Sequence, residues 1–184
     1  MYYRIKNKEL YDYADYKYAV DCRETNIITQ KELNRHPNKV LIQNDILILN
    51  PDYETEELAK AKQAKYQEAN SKANIYLQSG EALFEFEPDK HIEATDGNIA
   101  KMTAYALAFV TGQLKEDDTV PWSTYEDVTI NLNQELISYI LVGLGEVQSN
   151  VWTIKYSAYL ERIENATTVD EVNNIDIDYN KEIN

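Results

Sequence analysis

The chain has 184 residues, enough for one domain or two small ones, and carries 32 acidic against 18 basic residues for a net charge of −14. Its 43% hydrophobic content and its 15 tyrosines, three phenylalanines and two tryptophans exclude disorder throughout, and the single cysteine, Cys22, excludes an internal disulfide framework. The acidic balance argues against nucleic-acid binding, because phosphates would be repelled; the longest apolar stretch, Leu136–Gly145, is well short of the roughly 20 residues of a membrane span, and MYYRIKNKEL has no apolar run behind its charges, so no secretory leader is expected.

Residues 2–6 and 9–18 alternate in polarity around Asn7-Lys8 and predict a β-hairpin. Six of the tyrosines fall in the first 18 residues, and tyrosine at alternating positions suits a half-exposed sheet whose rings pack while the hydroxyls stay wet. Thr29-Gln30-Lys31-Glu32 matches a capping box, so a short helix is expected to start there and stop before Pro37. Lys39–Gln43 and Ile46–Leu49 read as two strands around the turn Asn44-Asp45. Residues 1–50 hold eight basic and seven acidic residues, whereas 51–184 hold 10 and 25. This charge step coincides with Asn50-Pro51, where a proline biases the chain out of helix. The expected organisation is therefore a small β-rich docking module (1–50), a connecting helix (51–81) and an α+β domain (82–184).

Between Asp52 and Ser79 there is neither proline nor glycine, and strong helix formers predominate. Glu56–Lys60 and Glu68–Lys72 are expected as i,i+4 pairs. The apolar face of this helix is thin: Leu58, Ala61, Ala69, Ala73, Tyr76 and Leu77. It reads as a connector, or alternatively as an oligomer seam on which small side chains admit a partner helix. Residues 82–87 alternate as a strand, Pro88-Asp89-Lys90 turns the chain, and His91–Ala94 pairs back. Thr95-Asp96-Gly97 opens a helix with Ile99, Met102, Tyr105/Ala106 and Phe109/Val110 on its apolar face, closed by Gly112. Val120–Trp122 and Val128–Leu132 predict two short strands. A long helix follows from about residue 133 to 164, with Ile137, Ile140, Leu144, Val147, Val151, Ile154 and Ala158 in register. Gly143 and Gly145 within it allow close packing or mark a kink. Thr168-Val169-Asp170-Glu171 is a second capping box, and the tail IDIDYNKEIN is expected to fray.

Candidates for chemistry are sparse. His36 and His91 are the only histidines, and neither has a partner at metal-ligand spacing. Cys22 lacks a glycine-rich oxyanion loop and reads as an inert thiol. Glu85 and Glu87 share a strand face and could perform acid–base work; the plainer reading is a solvated face opposite Phe84 and Phe86. Asp176 and Asp178 lack the glycine and spacing of a calcium loop, and no phosphate-cradling motif is present. Asn165-Ala166-Thr167 is a chance glycosylation sequon, and Trp122 and Trp152 read as core or core-edge residues. No metal or organic cofactor is expected, and the chain is read as non-enzymatic. The hairpin tyrosines Tyr2, Tyr3, Tyr11, Tyr13, Tyr16 and Tyr18 are more rings than one thin hairpin buries on its inner face, which makes them the candidate protein-docking residues.

Two segments resemble bacteriophage proteins. A YY start, a hairpin, the run ITQKELNRHPNKVLIQNDILILNPDYETEEL and then an alanine-rich charged helix resemble the layout of phage tail-fibre assembly proteins. Residues 82–177 resemble a phage and prophage domain family of unknown function encoded among tail and tail-fibre genes. The features carrying that resemblance are Phe84–Phe86, the Thr95-Asp96 step, Trp122, Val128–Leu132, and Ile163 with Ala166-Thr167 and Glu171. The chain departs from the assembly proteins in lacking their short Trp-x-x-Tyr-Arg ending; its nearest segment is WTIKYS, from Trp152 to Ser157. The resemblance implies an α+β structural or accessory component of a tail, baseplate or fibre. Its location would be the virion tail, or the host cytoplasm during assembly. Its implied partners are other tail proteins, with homo-oligomers possible and neither nucleic acid nor membrane involved. The alternatives are an intracellular fibre-assembly chaperone absent from the finished virion, or a small carboxylate-dependent hydrolase using Glu85 or Glu87.

Overall fold

A computed structural model, which describes residues 1–19 and 21–182, shows an α+β chain of small antiparallel sheets and longer helices. Its contacts divide into two units, 1–60 and 61–184. The division falls inside the long helix rather than at Asn50-Pro51.

In the first unit, strands β1 (Tyr2–Lys6) and β2 (Glu9–Ala14) form the expected hairpin. Asn7 and Lys8, at φ 54° and 66°, make the left-handed two-residue turn whose twist matches that of the strands. The second strand stops at Ala14 and does not run on to Tyr18. Arg4 pairs with Asp12 and Ile5 with Leu10, so Tyr11 is the unmatched residue of a bulge. Strand β3 (Arg23–Glu24) pairs with the other edge of β1. Helix α1 (Gln30–Arg35) starts in the Thr29/Glu32 capping box, and a 3-10 turn (Pro37–Lys39) leads into β4 (Val40–Gln43) and β5 (Ile46–Leu49), joined through Asn44 and Asp45 at φ 51° and 58°. Tyr3, Ile28, Leu33, Val40 and Leu47 form this unit's core.

Helix α2 (Tyr53–Gln78) runs its full expected length. Glu68 binds Lys72 at 2.9 Å as expected, whereas Lys60 takes Glu57 at 2.6 Å, three residues away, in place of Glu56. Ala69 and Ala73 are fully buried and Leu77 nearly so, all in the core of the second unit. The alanine stripe is therefore a core face of this chain and not a seam open to another helix.

The second unit continues with the hairpin β6 (Leu83–Glu87) and β7 (Lys90–Glu93), then α3 (Asp96–Val110), capped by Thr95 and ended at Gly112 with φ 73°. Strands β8 (Val120–Ser123) and β9 (Thr129–Leu132) pair antiparallel. Helix α4 (Gln134–Ser149) begins at the Asn133 cap and buries Ile137, Ile140, Gly143 and Leu144. It passes without a break into a π-helical segment (Asn150–Tyr156) and then α5 (Ser157–Asn165). That π segment corrects the expected stripe. Closing backbone bonds five residues back inserts an extra residue, so the face that was to hold Ile154 and Ala158 moves on by one, through Lys155, to Tyr159 and Ile163. These two are buried, while Ile154 is 59% exposed.

Helix α6 (Val169–Asn173) starts in the second capping box. The segment after it does not fray as expected over residues 175–181, because Ile175, Ile177 and Tyr179 are buried in the core; the last two residues of that expectation, 183 and 184, lie outside the described residues. No described helix is long and apolar enough to cross a membrane.

Candidate docking site

The six hairpin tyrosines separate by environment. Tyr3 is a correction to the expected docking set. Its ring is 3% exposed and its hydroxyl accepts the Leu47 N–H at 3.3 Å, which makes it a core residue joining β1 to β5. Tyr2 is half-buried, and the Glu24 charge beside it, with burial, holds its phenol above the usual range. Tyr13 is half-buried and donates to Asn34 Oδ1 at 2.9 Å. Tyr18 is half-buried, and burial together with the neighbouring Cys22 thiol pushes its phenol up to about 12. Only Tyr11 and Tyr16, 59% and 70% exposed, present their rings to solvent. Tyr11 owes this to the bulge: its ring sits 5.4 Å from both the Arg4 guanidinium and the Lys6 ammonium, a cation–π arrangement that holds an exposed aromatic in place. Arg4 is itself fixed by Asp21 at 3.2 Å.

The larger apolar surface lies on the second hairpin. Val40 and Leu47 point into the core, and Ile42 packs against it. The opposite face carries Leu41 and Ile46, 46% and 53% exposed, and Leu49 is 48% exposed at the hairpin's open end. Among the described residues this sheet has two strands. A concavity of about 440 Å³ adjoins it, lined among others by Lys8, Leu10, Tyr13, Pro37, Leu41 and Ile42. Sequence reasoning used VLIQ and ILIL only as strand signals. The usable sign was that seven of those eight residues are aliphatic, more than a hairpin with one buried face requires.

The chemical candidates do not assemble. His36 Nδ1 meets the Tyr53 hydroxyl at 2.8 Å. Glu85 and Glu87 are separated by a bulge at Phe86 that places them opposite His91 and Lys90; Glu85 accepts the Asp89 N–H and Glu87 binds Lys90 at 2.6 Å. Asp176 and Asp178 share Lys181, each at 3.1 Å. Cys22 is half-buried. Trp122 is a core residue, 4% exposed, and Trp152 is partly buried against Tyr156. Among the described residues no three His, Cys, Asp or Glu side chains come together in a way that could hold a metal ion.

His91 has one partner that the sequence did not reveal. Glu126, 35 residues on, takes the His91 ring Nδ1 at 2.7 Å and the His91 backbone N–H at 3.1 Å, while Tyr125 N–H donates to the His91 carbonyl. Burial works to raise the Glu126 carboxyl, but the hydrogen bonds from His91, from its own backbone and from Thr124 outweigh it and hold the group at about 2. This is a clasp between two hairpins.

No protein-family profile, no curated protein and no solved structure matches the chain. The first unit offers apolar contact area on β4–β5, with Lys8 among the residues that line the adjoining concavity.

Proposed function

We propose that this chain works by protein–protein contact through its first unit, as a structural or accessory protein of a bacteriophage tail, and not by catalysis. The observation that carries the contact role is the β4–β5 hairpin, which leaves Leu41, Ile46 and Leu49 about half exposed. Exposed clusters of large apolar side chains mark binding surfaces. Tyr11 and Tyr16 extend the same chemistry with rings whose tips remain wet. The resemblance of residues 82–177 to a domain encoded among tail genes, and of the first 50 residues to tail-fibre assembly proteins, supports tail proteins as the partner class.

The test is a pull-down of the neighbouring tail proteins with the intact chain and with a variant carrying Leu41→Ser, Ile46→Ser, Tyr11→Ser and Tyr16→Ser. These are exposed positions, so the variant is expected to keep the parent's circular dichroism and to lose partner capture. A folded variant that captures partners as well as the parent removes the first unit from the docking role. Mass spectrometry of purified virions then separates a structural component, present in fixed stoichiometry, from an assembly chaperone that is absent.

A further inference from the structure

Residues 174–181 form a strap across the second unit, with neither helix nor strand over 175–178 and a turn at 179–180. Ile175, Ile177 and Tyr179 are buried, 8%, 3% and 2% exposed, while Asp176 between them is exposed. This is the period-two pattern of a strand, yet among the described residues the segment pairs with no strand. The backbone–backbone bonds joining it to another described element run to α6 alone, from Asn174 N–H to the Asp170 carbonyl at 3.0 Å and from Ile175 N–H to the Val172 carbonyl at 3.2 Å.

Five of its backbone polar groups are taken by side chains of the surrounding helices. Lys65 and Lys72 of α2 donate to the carbonyls of Ile175 and Ile177 at 3.3 and 3.0 Å, and Lys155 of the π segment donates to that of Tyr179 at 2.6 Å. The Tyr159 hydroxyl donates to the Asp178 carbonyl and accepts the Asp178 N–H, both at 3.0 Å. A groove that reads main chain with fixed side chains and takes alternate residues into pockets has the chemistry of a peptide-recognition site. Charge agrees with this. Residues 61–184 hold nine basic against 21 acidic residues, and three of the nine are committed to this one acidic, apolar segment. Release of the strap would leave α6 in place, because that helix has its own capping box and a fully buried Val172.

We propose that the groove between α2 and the π segment with α5 is a peptide-binding site, filled in cis by residues 174–181 and able to take the same segment from a second copy in trans. This stands on the second unit alone and does not depend on the docking role of the first. The short tether at Asn174 gives the cis segment an effective concentration on the order of millimolar, so exchange becomes appreciable where copies are crowded.

The probe is a fluorescent peptide of residues 174–182, titrated by anisotropy against the full-length parent and a full-length Ile177→Ser/Tyr179→Ser variant. The variant is expected to bind the peptide at least about tenfold tighter than the parent, because its own competitor is weakened. Adding Lys155→Met to the variant should reduce that binding. A variant with native circular dichroism and no gain over the parent overturns the proposal. Should the variant lose its fold, two mass-tagged preparations of the parent, mixed at about millimolar concentration and joined by a zero-length amine–carboxylate cross-linker, decide the matter. Links between Lys72 of one tag and Asp178 of the other support exchange, and links confined within single copies overturn it.

Discussion

Gly143 and Gly145 lie two residues apart on α4, and the same substitution should have opposite effects at the two. A Cβ built on Gly143 would fall within 3.0 Å of Cζ, Cε2 and Cε1 of the Phe84 ring, whereas one on Gly145 would meet nothing within 4 Å. The Phe84 ring has limited room to retreat. Its strand position is fixed opposite Ile92, which is 1% exposed, and its ring packs edge-on against Tyr139 at 5.6 Å. Alanine in place of glycine in a helix gains about 1 kcal/mol, and inserting a methyl group into a filled core costs about 1–3 kcal/mol. Gly145→Ala should therefore stabilise the second unit by about 0.5–1 kcal/mol, and Gly143→Ala should destabilise it by about 1 kcal/mol net. Urea titration reads both as shifts of the midpoint at unchanged slope. A double-mutant cycle isolates the cause: in a Phe84→Ala background, Gly143→Ala should turn stabilising, as at Gly145. A Gly143→Ala chain as stable as the parent, or one still destabilised without the Phe84 ring, would refute the close packing of α4 on β6.

The π segment predicts a break in the apolar stripe: Leu144→Ala should cost about 2–5 kcal/mol, while Ile154→Ala should stay within about 0.5 kcal/mol of the parent in the same titration, and equal losses would place Ile154 in the core. The Glu126 carboxyl is held below its ordinary 4.5, at about 2, so its contribution is present above 4.5 and is lost as pH falls through about 2. Glu32, Glu68, Glu171 and Asp178 are shifted in the same direction, so the test is a difference: Glu126→Gln should narrow its stability gap to the parent as pH is lowered from about 5 to 2, and a gap independent of pH would show that the clasp does not depend on the charge.

Most of the elements were legible because their signals are local. Asn7-Lys8 and Asn44-Asp45 can enter the left-handed region, Thr29 with Glu32 and Thr168 with Glu171 cap their own first turns, and Gly112 ends α3 without a Cβ penalty. The candidate site was legible only in part. Tyrosine enrichment pointed to the first hairpin, but it could not distinguish Tyr3, whose hydroxyl meets a backbone N–H 44 residues away, from Tyr11, which a bulge turns outward.

Sequence alone determined the α+β class, the hairpins and the helix starts, since each depends on dihedral preference and side chains within a few residues of one another. Tertiary structure decided which faces are buried. Three lysines and Tyr159 hold an acidic tail that composition reads as frayed, and α2's alanines close against the second unit's core. The one-residue shift in the π segment moves the stripe from Ile154 and Ala158 to Lys155 and Tyr159. Burial depends on groups far apart in the chain, and the alternation or spacing within a segment does not record whether a distant partner fills the space beside it.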